Sequence, residues 1–195
     1  MKRETGGPPA RRHAVFLDRD GTLTEPRHYP SHPDDLVLSP GIGPPLRALQ
    51  DDGVALLVVT NQSGLARGLF NEDDLAAMHE HLGELLAHEN VRLDGIYVCP
   101  HHPEGSVAHF RTICACRKPA PGMITQAAHD LDLDLAQSWM VGDSACDIEA
   151  GRRAGTRTAL AAGAPQAGVT PHLYGATTAD VLDQVWHAKN RGHCE

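Results

Sequence analysis

The amino-acid sequence predicts a single α/β domain of the Rossmann-like type, with a mainly parallel sheet flanked by helices. The chain has 195 residues, which suits one domain, and short apolar segments alternate along it with segments of helical period. A hydrophobic content of 41% with 4% aromatic residues is ordinary for such a domain. Open parallel sheets bind ligands at the carboxyl ends of their strands, so the polar residues after each strand are the candidates for a site.

Five apolar segments are predicted strands, because each is short and borders polar or turn-forming residues. They comprise residues 13–17, 54–60, 95–98, 139–141 and 156–160. Strands that are separated by helices pair in parallel through right-handed crossovers, so we expect one parallel sheet.

The segments between the strands are predicted helices. The clearest covers residues 72–89, where Asn71 is a suitable N-cap and apolar residues recur on one face. Those apolar residues are Leu75, Met78, Leu82, Leu85 and Leu86. The other predicted helices cover residues 44–52, 122–131, 148–154 and 179–187. We expect His79, His81 and His88, all in the clearest helix, to be solvated or packed side chains and not ligands.

The N-terminal segment, the apolar runs and the net charge predict the location and the partners of the protein. Residues 1–12 are predicted to be a disordered lead-in without the apolar core of a secretory signal, and residues 13–190 the domain. No apolar run approaches the length of a membrane span. The formal net charge of -8 argues against nucleic acid as a partner. We therefore expect a cytoplasmic monomer that associates with neither membranes nor nucleic acid.

Two carboxylates follow the first predicted strand directly. Successive side chains of an extended segment point to opposite faces, so Asp18 and Asp20 project to one side while Arg19 turns away. One carboxylate can attack a phosphorus atom while its neighbour handles the proton, and Mg²⁺ relieves their repulsion. Gly21 lets the chain turn sharply and brings backbone N–H groups close to an anion. The alternative is a strand that ends in a polar turn.

Three further polar segments follow later strands. Residues 60–63, Thr-Asn-Gln-Ser, carry a hydroxyl and amides that can hold phosphate oxygens, or else form an ordinary turn. Lys118, in a Pro-rich segment, can offset negative charge, whereas elsewhere it would be solvated. Asp143 adds a third carboxylate at the same edge of the sheet. Asp147 either joins it or is a helix-start residue that orients its neighbours.

Thiols and imidazoles cluster in residues 99–116, which we call the Cys/His loop. Three cysteines and an imidazole, in two groups separated by a long loop, match the ligand set of a closed tetrahedral zinc site. Disulfides are the alternative, but a Cys-x-Cys pair closes a strained ring and the expected compartment is reducing. Such a zinc ion is structural, because four protein ligands leave no position for water. It would pin the loop and so position Arg117 and Lys118.

Taken in order, the four strand-end segments resemble the four motifs of the haloacid dehalogenase (HAD) superfamily. These motifs are the D-x-D-G-T loop, the strand-end Thr or Ser, the Lys, and G-D-x-x-x-D, and the resemblance runs from about Val15 to Gly155. It implies a HAD fold, here without a large cap domain. An Asp at the second position of the first motif favours phosphatases over dehalogenases.

The resemblance also implies the role of each motif residue. Asp18 would be the nucleophile that forms an aspartyl-phosphate, and Asp20 would protonate the departing alkoxide and later activate water. Thr60 and Lys118 would fix the transferring phosphoryl group. Asp18 and Asp143 through their side chains, and Asp20 through its backbone carbonyl, would hold Mg²⁺.

The Cys/His loop narrows the resemblance to one branch of the superfamily, that of the histidinol-phosphate and heptose 1,7-bisphosphate phosphatases. The branch motif implies four zinc ligands. They are Cys99, His101, Cys114 and Cys116. The long insertion that begins at Pro103 resembles the heptose type, which implies a Mg²⁺-dependent phosphatase for the 7-phosphate of a heptose 1,7-bisphosphate in nucleotide-heptose biosynthesis. Histidinol phosphate or another sugar phosphate is the alternative substrate, and a non-catalytic zinc-stabilised binding protein is the alternative function.

Short loops would have to select the substrate in a capless enzyme. The expected substrate-binding residues are Arg27, His28, Tyr29, Asn61, Gln62, Ser63 and Arg117. The segment 24–29 keeps the family's Tyr but not its Asn-rich composition, and Ser144 stands where some relatives have a Lys. The second phosphate is therefore expected to be held differently, by Arg27 or Arg67.

Overall fold

The sheet is the organising element of the fold. The computed structural model describes residues 11–161 and 168–191. Within them, six strands pair in parallel in the order β3-β2-β1-β4-β5-β6. The strands are β1 Ala14–Leu17, β2 Ala55–Asn61, β3 Gly95–Cys99, β4 Trp139–Gly142, β5 Arg157–Leu160 and β6 Leu173–Tyr174. The predicted fold class and all five predicted strands are confirmed, and β6 is a strand that the sequence analysis did not identify.

The helices cover both faces of the sheet. They are α1 Gly43–Asp51, α2 Ser63–Arg67, α3 Glu72–His88, α4 Gly122–Asp130, α5 Ala145–Ala154 and α6 Thr178–Arg191. The five predicted helices are confirmed, but α5 begins earlier than residue 148 and α6 continues past residue 187. The short helix α2 lies where an ordinary turn or a phosphate-binding segment was expected.

Two apolar cores sandwich the sheet, and alternate residues of each strand face opposite cores. Val15 and Leu17 of β1 pack in the core with α1, α3 and α6. Ala14 and Phe16 of the same strand pack in the core with α4 and α5. Because both faces of β1 are buried, its side chains are not available to a ligand, and the first candidate contact comes after the end of the strand. Asp18 is the first residue after the carboxyl end.

Helix α3 begins as predicted, at a capping box. The Asn71 side chain accepts a hydrogen bond from the backbone N–H of Asp74 at 2.9 Å, and the Asp74 carboxylate accepts one from Asn71 at 2.9 Å. The predicted apolar face is buried against the sheet, except that Leu85 is only partly buried.

Arg12, the last residue of the predicted lead-in, contacts the folded part of the chain. Arg12 pairs with Leu133 in an isolated β-bridge, and its guanidinium forms an ion pair with Asp94 at 2.6 Å. Residues 1–10 of the predicted lead-in lie outside the described residues. No helix in residues 11–161 or 168–191 is long and apolar enough to cross a membrane.

Candidate active site

Three neighbouring strands bring the candidate catalytic side chains together. β1 lies between β2 and β4, so Asp18, Thr60 and Asp143 meet at one edge of the sheet. Lys118 reaches the same place from the segment that precedes α4. The structure therefore unites four residues that are spread over more than half of the sequence.

Lys118 is the centre of this cluster. Its side chain is buried, and Nζ lies 2.6 Å from Oδ1 of Asp18 and 2.6 Å from Oδ1 of Asp147. Nζ also donates to the backbone carbonyl of Val59 at 2.7 Å. Burial by itself lowers the pKa of Lys118, but the two carboxylates raise it above its ordinary value. The ammonium is therefore charged at neutral pH and presents a fixed positive charge to an anion.

The carboxylates around Lys118 crowd one another. Burial raises the pKa of Asp18 to about 7, with Lys118 opposing and Asp147 and Asp20 adding to the rise. Burial, then Asp147, also raise the pKa of Asp143. Carboxylate oxygens of Asp18, Asp143 and Asp147 lie within 4.8 Å of one another. A hard divalent cation with oxygen ligands is the group that such a donor set fits, because it stabilises the ionised forms.

Asp147 performs both of the tasks that the sequence left open. It is the third residue of α5, and its Oδ2 accepts hydrogen bonds from the backbone N–H of Ser144 at 3.1 Å and from Ser144 Oγ at 2.6 Å. Its Oδ1 pairs with Lys118. The second Asp of the G-D-x-x-x-D motif was the signal in the sequence for this residue.

Gly21 allows the loop after β1 to pack against Asp143. Its φ is +86°, and a Cβ at this position would lie 2.3 Å from Oδ2 of Asp143. A side chain here would displace the carboxylate as well as strain the backbone.

Arg19 does not turn away from the carboxylates, contrary to the sequence-based expectation. Its side chain is fully buried, and Nε and Nη2 form a fork with the two oxygens of Asp20, at 2.9 and 3.0 Å. A guanidinium excluded from water needs acceptors for its N–H groups, and the adjacent carboxylate supplies two. Alternation along a strand fails here because the chain turns directly after Asp18.

The residues after Thr60 contact the protein itself in this structure. Gln62 Nε2 donates to Thr60 Oγ1 at 2.7 Å and to Asp20 Oδ2 at 2.9 Å. The Asn61 amide bonds to both backbone groups of Lys118, at 3.0 and 3.1 Å. Ser63 is buried at the start of α2. That these three residues contact a substrate stays a prediction.

The other predicted substrate contacts lie on neighbouring loops. Arg27 and His28 are exposed, and the His28 ring stands edge-on to Tyr29, which has a φ of 50°. The guanidinium of Arg67 lies 5.9 Å from the Tyr29 ring centroid and 3.3 Å from His102 Nε2. The Nε of Arg67 is buried without a hydrogen-bond partner. Arg67 is thus a cation with a free donor beside the predicted substrate loop.

The four predicted zinc ligands converge in the Cys/His loop. One ligand atom from each of Cys99, His101, Cys114 and Cys116 lies within 4.8 Å of the others. The three thiols are free, with sulfur atoms 3.2 to 3.5 Å apart, far longer than the roughly 2 Å of a disulfide. His102 instead contacts Arg67. Arg117 Nη1 donates to the backbone carbonyl of His101 at 3.2 Å, so the cluster is tied to Arg117.

Comparisons with known proteins agree with the motifs. A protein-family profile described as HAD-hydrolase-like matches residues 115–188. D-glycero-beta-D-manno-heptose-1,7-bisphosphate 7-phosphatase of Yersinia pestis is 46% identical over 154 residues, 78% of this chain and 82% of the relative. The enzyme of the same name from Escherichia coli K12 is 46% identical over 160 residues, 81% and 82% of the two chains.

A solved structure shares the fold. It is D,D-heptose 1,7-bisphosphate phosphatase from B. bronchiseptica, complexed with magnesium and phosphate, with a TM-score of 0.79 and 33% identity. The match covers 90% of this chain and 99% of that one. The resemblance that the motifs indicated is thereby confirmed. The chain belongs to the HAD-like hydrolases and, within them, to the family of the D-glycero-beta-D-manno-heptose-1,7-bisphosphate 7-phosphatases.

Proposed function

We propose that the protein is a Mg²⁺-dependent phosphatase that removes the 7-phosphate of D-glycero-D-manno-heptose 1,7-bisphosphate, in nucleotide-heptose biosynthesis. The observation that carries the proposal is the cluster in which Lys118 contacts Asp18 while Asp143 lies alongside. A nucleophilic carboxylate, a fixed cation and a metal-binding carboxylate are the groups that phosphoryl transfer requires. The names of relatives with 46% identity support the choice of substrate.

Two steps complete the proposed reaction. A carboxylate oxygen of Asp18 forms a bond to phosphorus as the bond between phosphorus and the sugar oxygen breaks, and Asp20 gives its proton to the departing alkoxide. Asp20 then takes a proton from a water molecule, whose oxygen bonds to phosphorus as the bond to Asp18 breaks. Phosphate leaves, and Asp18 and Asp20 return to their starting forms.

Lys118 and Thr60 hold the phosphoryl group in this proposal. The charge of Lys118 is fixed beside the Asp18 oxygen that attacks, so it opposes the negative charge that phosphate brings to an acidic protein. Thr60 Oγ1 accepts a hydrogen bond from Gln62, which leaves its own hydroxyl proton free for a phosphate oxygen. Arg27, His28, Tyr29, Asn61, Gln62, Ser63 and Arg117 are the proposed contacts with the rest of the substrate.

The proposed ligands of Mg²⁺ are the side chains of Asp18 and Asp143 and the backbone carbonyl of Asp20. Burial, with a smaller effect of the neighbouring carboxylates, raises the pKa of both carboxyls, and a divalent cation would stabilise their ionised forms. When bound, Mg²⁺ neutralises charge on the carboxylates and the phosphate. Asp147 is not among the proposed ligands, because its two oxygens bind Lys118 and Ser144.

Zinc is proposed to be the structural ion of the Cys/His loop, held by Cys99, His101, Cys114 and Cys116. Three soft thiolates and one imidazole fit Zn²⁺, and four protein ligands close its coordination shell. Its binding free energy would stabilise a loop that carries Arg117.

The setting of the reaction is part of the proposal. Residues 13–190 form the catalytic domain, which works as a monomer in the cytoplasm on a small-molecule sugar bisphosphate. The net charge of -8 supports a partner other than nucleic acid.

A substrate panel tests the function. Heptose 1,7-bisphosphate, histidinol phosphate and p-nitrophenyl phosphate are compared by kcat/KM, with and without EDTA. We expect the heptose bisphosphate to have the highest kcat/KM and EDTA to abolish turnover of all three. A higher kcat/KM for histidinol phosphate would overturn the heptose assignment, and turnover of no phosphomonoester would leave only a binding role.

A further inference from the structure

Arg19 is a fully buried cation whose side chain is used entirely inside the protein. Nε and Nη2 bind the two oxygens of Asp20, and Nη1 lies 3.4 Å from Nε2 of His79 on helix α3. The backbone carbonyl of Arg19 accepts hydrogen bonds from Thr24 N at 2.9 Å and Thr24 Oγ1 at 3.0 Å. Hydrogen bonds thus hold the backbone of Arg19 through Thr24 and its guanidinium through Asp20 and His79.

His79 acts as the acceptor in its contact with Arg19. A guanidinium has no lone pair to offer, so a hydrogen bond between the two requires an unprotonated Nε2 on the imidazole. Burial, and then the charge of Arg19, lower the pKa of His79 to about 4, against a smaller opposing effect of Asp20. The imidazole is thus neutral at physiological pH and suited to accept.

The fork restricts the orientation of Asp20. Both of its oxygens accept hydrogen bonds from Arg19, and Oδ2 accepts another from Gln62, which also binds Thr60. Rotation of the carboxylate would break two or more of these bonds. Asp20, the proposed proton donor to the leaving oxygen, and the Thr60 hydroxyl, the proposed phosphate contact, are therefore held by one hydrogen-bond network.

We propose that Arg19 and His79 are positioning residues for Asp20: His79 braces the guanidinium, and its fork orients the carboxylate toward the leaving group. This inference rests on the proposed function, in which Asp20 protonates the departing alkoxide. Misalignment of a proton donor slows cleavage of a poor leaving group far more than that of a good one. A sugar alkoxide is a much stronger base than p-nitrophenolate, so the two leaving groups report on the alignment.

The main experiment measures kcat/KM for Arg19→Met with heptose 1,7-bisphosphate, the sugar phosphate of the panel, and with p-nitrophenyl phosphate. This constant covers only the steps through cleavage of the first bond, so the later attack of water does not enter it. We expect the ratio of the sugar value to the aryl value to fall by about 10-fold or more. Arg19→Lys keeps the charge but not the fork, so its ratio is expected to lie between those of Arg19→Met and the unmutated protein.

Two variants at position 79 form the matched pair. His79→Leu removes the acceptor and is expected to lower the same ratio by about 3- to 10-fold. His79→Gln offers an amide oxygen to Arg19 and is expected to restore most of the ratio. A pre-steady-state burst of p-nitrophenol in Arg19→Met is a second expected result, because Asp20 also activates the water that hydrolyses the aspartyl-phosphate.

The outcomes separate this inference from the proposed function. Equal losses on the two substrates, or no loss on either, in variants whose thermal unfolding shows a folded protein would overturn the positioning role alone. If Arg19→Met does not fold, equal ratios in the two His79 variants would overturn it instead. An unmutated protein that hydrolyses neither substrate would overturn the proposed function, and the inference with it.

Discussion

Lys118 and Asp147 form a buried ion pair, with Nζ 2.6 Å from Oδ1 and side chains that are 3% and 2% exposed. Asp18 pairs with the same ammonium on the other side. Breaking a buried pair is costly because the remaining charge loses its partner. Asp147 thus shares with Asp18 the compensation of the Lys118 charge, and its hydrogen bond with Ser144 links the lysine to the first turn of α5.

Asp147→Asn tests this arrangement. The amide keeps an oxygen for Ser144 but loses its charge, so we expect kcat to fall by roughly 10- to 100-fold as Lys118 shifts toward Asp18. The free energy of unfolding should fall by about 1 to 3 kcal/mol. Steady-state kinetics and urea denaturation measure the two effects. Ser144→Ala is the matched control, since it removes the cap hydroxyl but leaves the ion pair. If the kcat of Ser144→Ala were as low as that of Asp147→Asn, the role assigned to the ion pair would be contradicted.

The two carboxylates of the first loop should fail in different ways. Asp18→Asn is expected to abolish turnover, because an amide cannot form the acyl-phosphate. Asp20→Asn should still bind substrate but lose about 10²- to 10⁴-fold in rate on a sugar phosphate, because it cannot protonate the alkoxide. Single-turnover kinetics with both variants distinguish the two defects. Substantial activity of Asp18→Asn would rule out the covalent mechanism.

Removing a ligand of the Cys/His loop should affect metal content and stability together. We expect one zinc per chain in protein purified without added metal, and less zinc with a lower unfolding temperature in Cys114→Ser, since metal affinity here contributes to folding free energy. Elemental analysis and thermal denaturation provide the measurements. Cys146→Ser is the control, because Cys146 lies outside the cluster. A zinc-free protein of unchanged stability and activity would contradict a structural role.

The stability of the protein should depend on pH through His79. Its pKa is about 4 in the folded state against 6.5 ordinarily, so the unfolded chain binds more protons in this window. The contribution is fully present above pH 6.5 and is lost as the pH falls toward 4, up to about 3 kcal/mol. Urea denaturation at several pH values should show a flatter profile for His79→Gln between these limits. Parallel profiles of the two proteins would contradict the assignment.

Most of the fold could be predicted from sequence because its signals are local. Short apolar runs identified β1 to β5, and the Asn71 cap with its apolar repeat identified α3. β6 has only two residues, Leu173–Tyr174, which is too short for a period, and its place in the sheet depends on pairing with β5. The five-residue α2 is similarly too short for a helical repeat.

The site was predictable as far as its residue types and spacing go. Asp18 and Asp143 follow strands, Thr60 lies at the carboxyl end of β2, Lys118 follows β3 after a long loop, and all four belong to ordered motifs, so their meeting at one edge could be expected. The direction of Arg19 could not, because it depends on burial and on a histidine 60 positions away in the chain. Likewise, nothing local indicates that Asn61 would bind the backbone of Lys118.

The strand order β3-β2-β1-β4 determines when the site can exist during synthesis of the chain. β1 is the first of these strands to be synthesised, but one of its edges stays unpaired until β4, which ends at Gly142, has been synthesised. Asp18 and Lys118 are 100 positions apart, so their ion pair also forms late. A nascent chain that stops before Gly142 exposes the unpaired edge of an apolar strand, which promotes aggregation. Truncated products of this protein should therefore be substrates for chaperones and proteases, and not weakly active enzymes.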